Sequence, residues 1–146
     1  PDVRFTYRQN VDAPMLTSDR RQLGQAITNL LKNAVESIQE RKKENDADGV
    51  ISVDLNADGA SLVISIADNG IGLPADRQRI LEPYITNRAT GSGLGLAIVK
   101  KITEEHFGEI SLTDNPGGGA VVTLKFIPDL VAAKVAKSAE APATSN

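Results

Sequence analysis

Apolar and polar residues alternate at Val3, Phe5 and Tyr7, which predicts a strand at the edge of its sheet. Asp19 offers a helix N-cap, and behind it Leu23, Ile27, Leu30, Leu31, Ala34 and Ile38 recur at spacings of three and four. That period predicts an amphipathic helix of about six turns, running out in the charged stretch ERKKENDADG. Two β-like runs follow, VISVDL and SLVISIAD, joined by NADGA, in which Asp58-Gly59 is a hairpin signal. After Asp68 the periodicity breaks into DNGIGLPADRQRILEPYITNRATGSG, which is long, polar and flanked by glycine, with space for a helical turn or two. Segments of such length are usually functional lids or disordered. GLGLAIVKKITEEH then predicts a second helix with Leu94, Ile98 and Ile102 on one stripe, and EISLTD and AVVTLKFI a final strand pair around NPGGG. The order strand, long helix, hairpin, lid, helix, hairpin predicts the α/β class: a two-layer α/β sandwich with a mixed, mostly antiparallel sheet and helices on one face. The β-α-β alternation of a doubly wound parallel sheet is missing.

Composition narrows this picture. The 146 residues suit one domain, expected over residues 1–130, with a tail over 131–146 rich in Ala, Lys, Ser and Pro that reads as disordered. The net charge of −3 gives no global basic field, so a polyanion must be held by a local site. The absence of cysteine excludes disulfides and thiolate metal sites and fits a reducing compartment. No run of 18 apolar residues is present, and the opening PDVRFTYRQN lacks the apolar centre of a signal peptide. A chain that begins in a strand and without Met reads as a piece of a longer protein.

Four segments carry candidate chemistry. In NLLKNAVES, Asn29, Asn33 and Glu36 share one helical face. Such a stripe is either a solvated face or a site, and mid-helix asparagine, a poor helix former, argues for the second. Its neutral amide oxygen suits Mg²⁺, a hard cation held by a few protein oxygens and substrate phosphates. In DNGIG, Asp68 ends an apolar strand, where a desolvated carboxylate needs a donor such as the exocyclic amine of adenine. Gly70 and Gly72 would let the backbone approach a flat base, although Asp-Asn-Gly is also plain turn chemistry. GSGLGL, from Gly91 to Leu96, puts glycines before a helix N-terminus, where backbone N–H groups and the helix dipole favour an anion. It is neither the dinucleotide fingerprint nor a Walker loop. Lastly, PGGGAVVTLKFIP turns the chain into a strand that would cover the base from below, with Thr123 counted among the nucleotide-binding residues.

NLLKNA, DNGIG, EPYIT, GSGLGL and GGGAVVTLKFIP, in this order, resemble the N box, glycine boxes and F box of sensor histidine kinases, and the likeness runs from about Val3 to Pro128. The wording EPYITNRATGSGLGLAIVKKITEEH is most similar to the nitrogen-regulation NtrY group. The resemblance implies the Bergerat ATP-binding fold, shared with DNA gyrase, the Hsp90 chaperone and MutL. It implies ATP and Mg²⁺ as ligands, with Asn33 at Mg²⁺ and Asp68 at the adenine amine. Gly91, Ser92, Gly93, Leu94 and Gly95 would form the lid hinge and phosphate cradle, Arg88 would lie near the γ-phosphate, and Asn29, Gly70 and Gly72 would complete the nucleotide set. The implied activity is ATP-dependent phosphorylation of a histidine on a separate dimerisation hairpin, with a response regulator downstream. The parent would be a homodimer anchored in the inner membrane with this domain in the cytoplasm, touching neither nucleic acid nor membrane.

The chain departs from the family pattern at several positions. Leu81 and Tyr84 replace the phenylalanines of the F box, Glu36 stands where relatives carry a basic residue, and Ala120 replaces a threonine of the gyrase and chaperone branch. Gyrase-type ATPases carry a general-base Glu at the position of Asn29, and an amide takes no proton at neutral pH, so slow hydrolysis is expected. The single histidine, His106 in EEHFGE, lies outside the context of a phosphoacceptor and is expected to be structural or solvent-facing. The alternatives are a nucleotide-binding module of a degenerate kinase, and a slow ATPase or serine kinase of the same fold. The lid, from about Leu73 to Ser92, is expected to order around bound phosphates.

Overall fold

The computed structural model describes residues 3–10, 20–82 and 95–128. Strand β1 spans Val3–Gln9, helix α1 Arg20–Lys42, β2 Gly49–Asp58 and β3 Ser61–Asp68. A short 3-10 helix covers Arg77–Leu81, followed by α2 at Gly95–Glu105, β4 at Glu109–Asp114 and β5 at Ala120–Phe126. The sheet order is β1-β2-β3-β5-β4, with β1 parallel to β2 and every other pairing antiparallel. The mixed two-layer sandwich expected from the sequence is therefore present, with β1 at an edge.

Alternation explains which face each strand buries. Ile51 on β2, Ile66 on β3 and Leu124 and Phe126 on β5 face the helices, and meet Ala26, Leu30, Ala34 and Ile38 of α1 and Val99 and Ile102 of α2. The other sheet face pairs polar side chains, Thr6 with Ser52 at 3.0 Å, Arg8 with Asp54 at 3.0 Å and Ser65 with Thr123 at 3.4 Å. Each fully buried aliphatic or aromatic side chain contributes roughly 1.5–3 kcal/mol, so the shared core dominates these exposed and part-buried pairs.

Three details differ from the sequence reading. β2 runs on to Asp58, because its ladder with β3 continues to Asp58↔Ser61, leaving a two-residue turn with Gly59 at φ +62°. On α2 the inward stripe is Val99, Ile102 and Thr103, with Ile98 half-buried, because α2 packs against both α1 and β4. His106 falls one step further along that stripe, so it is buried, its Nδ1 2.9 Å from the Ile102 carbonyl and its ring edge-on to Phe126. Within the lid, the first part is anchored: Leu81 is buried, and Arg77 binds Asp114 at 3.0 Å. The expectations for residues 83–92 and 131–146, and Leu94 of the predicted stripe, lie outside the described residues.

Candidate nucleotide site

The middle of α1 meets the start of α2 at Asn33 and the turn after β3 at Ser37, and the start of β5 meets the end of β3 at Gly119. α1 contributes a stripe at four-residue steps: Asn29, Asn33, Ser37 and Arg41. Asn29 and Asn33 are half-buried, while Ser37 is completely buried. Asn33 lies against the first residue of α2, where a Cβ on Gly95 would come within 3.3 Å of both Nδ2 and Oδ1. The Nδ2 of Asn33 is buried, with no hydrogen-bond partner among the described residues. A buried donor of this kind is rare in native proteins and asks for an explanation. The two ends of the amide can exchange by a flip, so the site presents either a donor or an acceptor at the positive end of α2.

β3 delivers Asp68 at its last position, 7% exposed. The Oδ1 of Asp68 accepts the Gly70 N–H at 2.8 Å, and its carbonyl accepts from Asn115 Nδ2 at 2.7 Å. Gly119, at φ +102°, enters β5 so close to Asp68 that a Cβ would collide with the Asp68 carbonyl. Only glycine fits there, for both reasons. Gly72, at φ +83°, packs beside Gly119, with the Gly119 carbonyl 3.6 Å from where a Cβ would stand. Ser37 packs beneath Gly70 and its Oγ accepts the Ile71 N–H at 3.0 Å.

Asn33, Gly95, Asp68, Gly70 and Gly72 are thus brought to one region, with Asn29 one turn before Asn33 on the same stripe. Thr123 is not. It pairs with Ser65 on the sheet face turned away from the helices, because strand alternation puts Val122 and Leu124 inward, so its place among the nucleotide-binding residues is withdrawn. Arg88, Gly91, Ser92, Gly93 and Leu94 lie outside the described residues. Ser37 and Arg41 were missed from sequence, although their spacing from Asn33 was a usable signal. Among the described residues no group of three or more His, Cys, Asp and Glu could hold a metal.

Residues 18–130 match the family described as histidine kinase-, DNA gyrase B-, and HSP90-like ATPases. The chain is 54% identical over 108 residues to the nitrogen regulation protein NtrY of Azorhizobium caulinodans, covering 73% of this chain and 14% of that protein. The nucleotide-free catalytic domain of histidine kinase ThkA is similar in fold, with a TM-score of 0.74 at 24% identity, over 87% of this chain and 80% of that one. Full-length ShkA, solved in complex with AMPPNP, gives a TM-score of 0.70 at 25% identity, over 85% of this chain and 25% of that one.

Proposed function

Because this chain belongs to the histidine kinase-, DNA gyrase B-, and HSP90-like ATPase family, as the ATP-binding catalytic domain of an NtrY-like sensor histidine kinase, we propose that its cleft holds Mg²⁺-ATP and presents the γ-phosphoryl group to a histidine on a separate hairpin. The observation that carries the reading is the meeting of Asn33 with Gly95 at the start of α2, together with a buried Asp68 at the end of β3. In this reading Asp68 accepts from the 6-amino group of adenine, and Gly70 and Gly72 let the backbone lie close to the base. Gly91, Ser92, Gly93, Leu94 and Gly95 donate backbone N–H groups to the phosphates, where the dipole of α2 favours negative charge. By the resemblance, Arg88 would serve the γ-phosphate.

In this reading Asn33 would offer its neutral amide oxygen to a hard cation, and its Nδ2, buried and without a partner among the described residues, supports a role beyond the fold's own hydrogen bonds. Bound Mg²⁺ supplies neutralisation of the triphosphate charge. Asn29 stands where a general base would activate water, and its amide cannot. The chain's own work is therefore positioning and charge complementarity, which is what phosphoryl transfer chiefly requires.

The chain spans 14% of the length of the NtrY protein it matches. The parent's homodimer, its dimerisation hairpin, its response regulator, and an inner-membrane anchor with this domain in the cytoplasm all belong to the proposal. Incubation with γ-labelled ATP and a purified acceptor-hairpin domain tests it. Acid-labile label on the hairpin is the expected result; free phosphate without labelled hairpin would favour hydrolysis instead.

A further inference from the structure

We infer that Ser37 and Arg41 are positioning residues for the adenine end of the site, an inference that rests on the reading of Asp68 proposed above. Both continue the α1 stripe that starts at Asn29 and passes through Asn33, so one helix touches Gly95 through Asn33 and the Gly70–Ile71 backbone through Ser37. Ser37 Oγ accepts the Ile71 N–H at 3.0 Å, and the side chain supports Gly70 from below. Arg41 donates from Nε to the Asn69 carbonyl at 3.0 Å. Its terminal nitrogens donate to the carbonyls of Asn45, Ala47 and Asp48 at 2.6, 2.7 and 3.2 Å. The side chain of Asn69 completes the tie: Oδ1 accepts the Val50 N–H at 2.8 Å and Nδ2 donates to the Asp48 carbonyl at 3.0 Å.

The backbone from Asp68 to Ile71 is therefore held from two sides. Asn115 fixes the Asp68 carbonyl from the sheet side, while Ser37 and Arg41 fix Asn69 and Ile71 from the helix side. A carboxylate discriminates between ligands only as far as its direction is set before the ligand arrives, since freedom left in the loop must be surrendered on binding. Loosening the helix side frees Gly70, whose N–H holds Asp68 Oδ1. The resulting loss falls on the interaction with the 6-amino group and spares the phosphate end of the site.

A staple of the fold without this role would weaken every nucleotide equally, and that difference is measurable. Calorimetry compares Mg²⁺-ATP with Mg²⁺-purine riboside triphosphate, which lacks only the 6-amino group, on the unaltered chain and on Ser37→Ala, Arg41→Ala, Arg41→Lys and Thr103→Val. Thr103 is buried and donates to the Val99 carbonyl at 2.7 Å, away from the loop, so it controls for general destabilisation. Losing one net hydrogen bond corresponds to about a 3- to 10-fold loss of affinity. Ser37→Ala and Arg41→Ala are expected to lose that much for ATP and less than about 2-fold for the analogue, so the preference for ATP narrows. Arg41→Lys keeps a donor and recovers part of it; Thr103→Val leaves the ratio unchanged. Most acceptors of Arg41 are exposed, so its variants remain informative if Ser37→Ala fails to fold. Equal losses on both nucleotides, or none on either, would overturn the inference. An unaltered chain with no preference for ATP would overturn the reading of Asp68 itself, which sets the two failures apart.

Discussion

At the scale of the residue, the site separates stability from function by sign. Asn33 has a buried amide nitrogen with no hydrogen-bond partner among the described residues, and it sits mid-helix, where alanine is the better helix former. Removing a buried unpartnered polar group costs little and can stabilise. Asn33→Ala is therefore expected to hold or raise the melting temperature while abolishing phosphotransfer and the Mg²⁺ dependence of ATP binding. A large fall in melting temperature would mean that Asn33 belongs to the core. Asp68 behaves differently, because Oδ1 already holds the Gly70 N–H. A hydrogen bond to a charged group is worth roughly 1.5–3 kcal/mol, so Asp68→Ala should weaken ATP about 10- to 150-fold. Equal affinity for GTP and ATP in the unaltered chain would remove adenine recognition from Asp68. Gly119→Ala should harm both properties, since the added methyl meets the Asp68 carbonyl at a φ that alanine avoids.

At the scale of the element, the start of the lid is held by apolar packing more than by charge. Leu81 at the end of the 3-10 helix is buried, whereas the Arg77–Asp114 pair has side chains 30% and 69% exposed. Exposed ion pairs contribute about 0–1 kcal/mol, and truncating a buried leucine costs about 2–5 kcal/mol. Leu81→Ala should thus lower stability in denaturant far more than Arg77→Ala does. A comparable cost for both would show that the ion pair sets the position of this helix. The same packing logic keeps Ile102 on the inward face of α2 and adds Val99 and Thr103, because a helix flanked by another helix and a sheet buries a wider face than one line of residues.

At the scale of the whole molecule, one sheet face packs against both helices and the other carries paired polar side chains, so Asn33, Gly95 and Asp68 lie in the helix-covered layer. His106 is locked into that layer against Phe126 and the Ile102 carbonyl. The chain by itself should therefore acquire no acid-labile label from γ-labelled ATP, and a phosphate on His106 would contradict its burial. Among the described residues no helix is long and apolar enough to cross a membrane.

Periodicity and turn chemistry are local, and the sequence by itself determined what depends on them: the order of elements, the edge position of β1, and the helices meeting a mostly antiparallel sheet. The motif segments also named Asn33 and Asp68, since amide and carboxylate groups in such unfavourable local settings are legible without coordinates. Only the tertiary structure decided which face each side chain serves. Thr123 reads well in its motif, yet strand register turns it away from the helices toward Ser65. Ser37 and Arg41 look like an ordinary serine and a solvated helix end, and acquire a role only where Gly70, Asn69 and Ile71 come to meet them. The physical reason is that burial and hydrogen-bond pairing join residues 28 to 34 positions apart in the chain, and no local pattern encodes the contact between them.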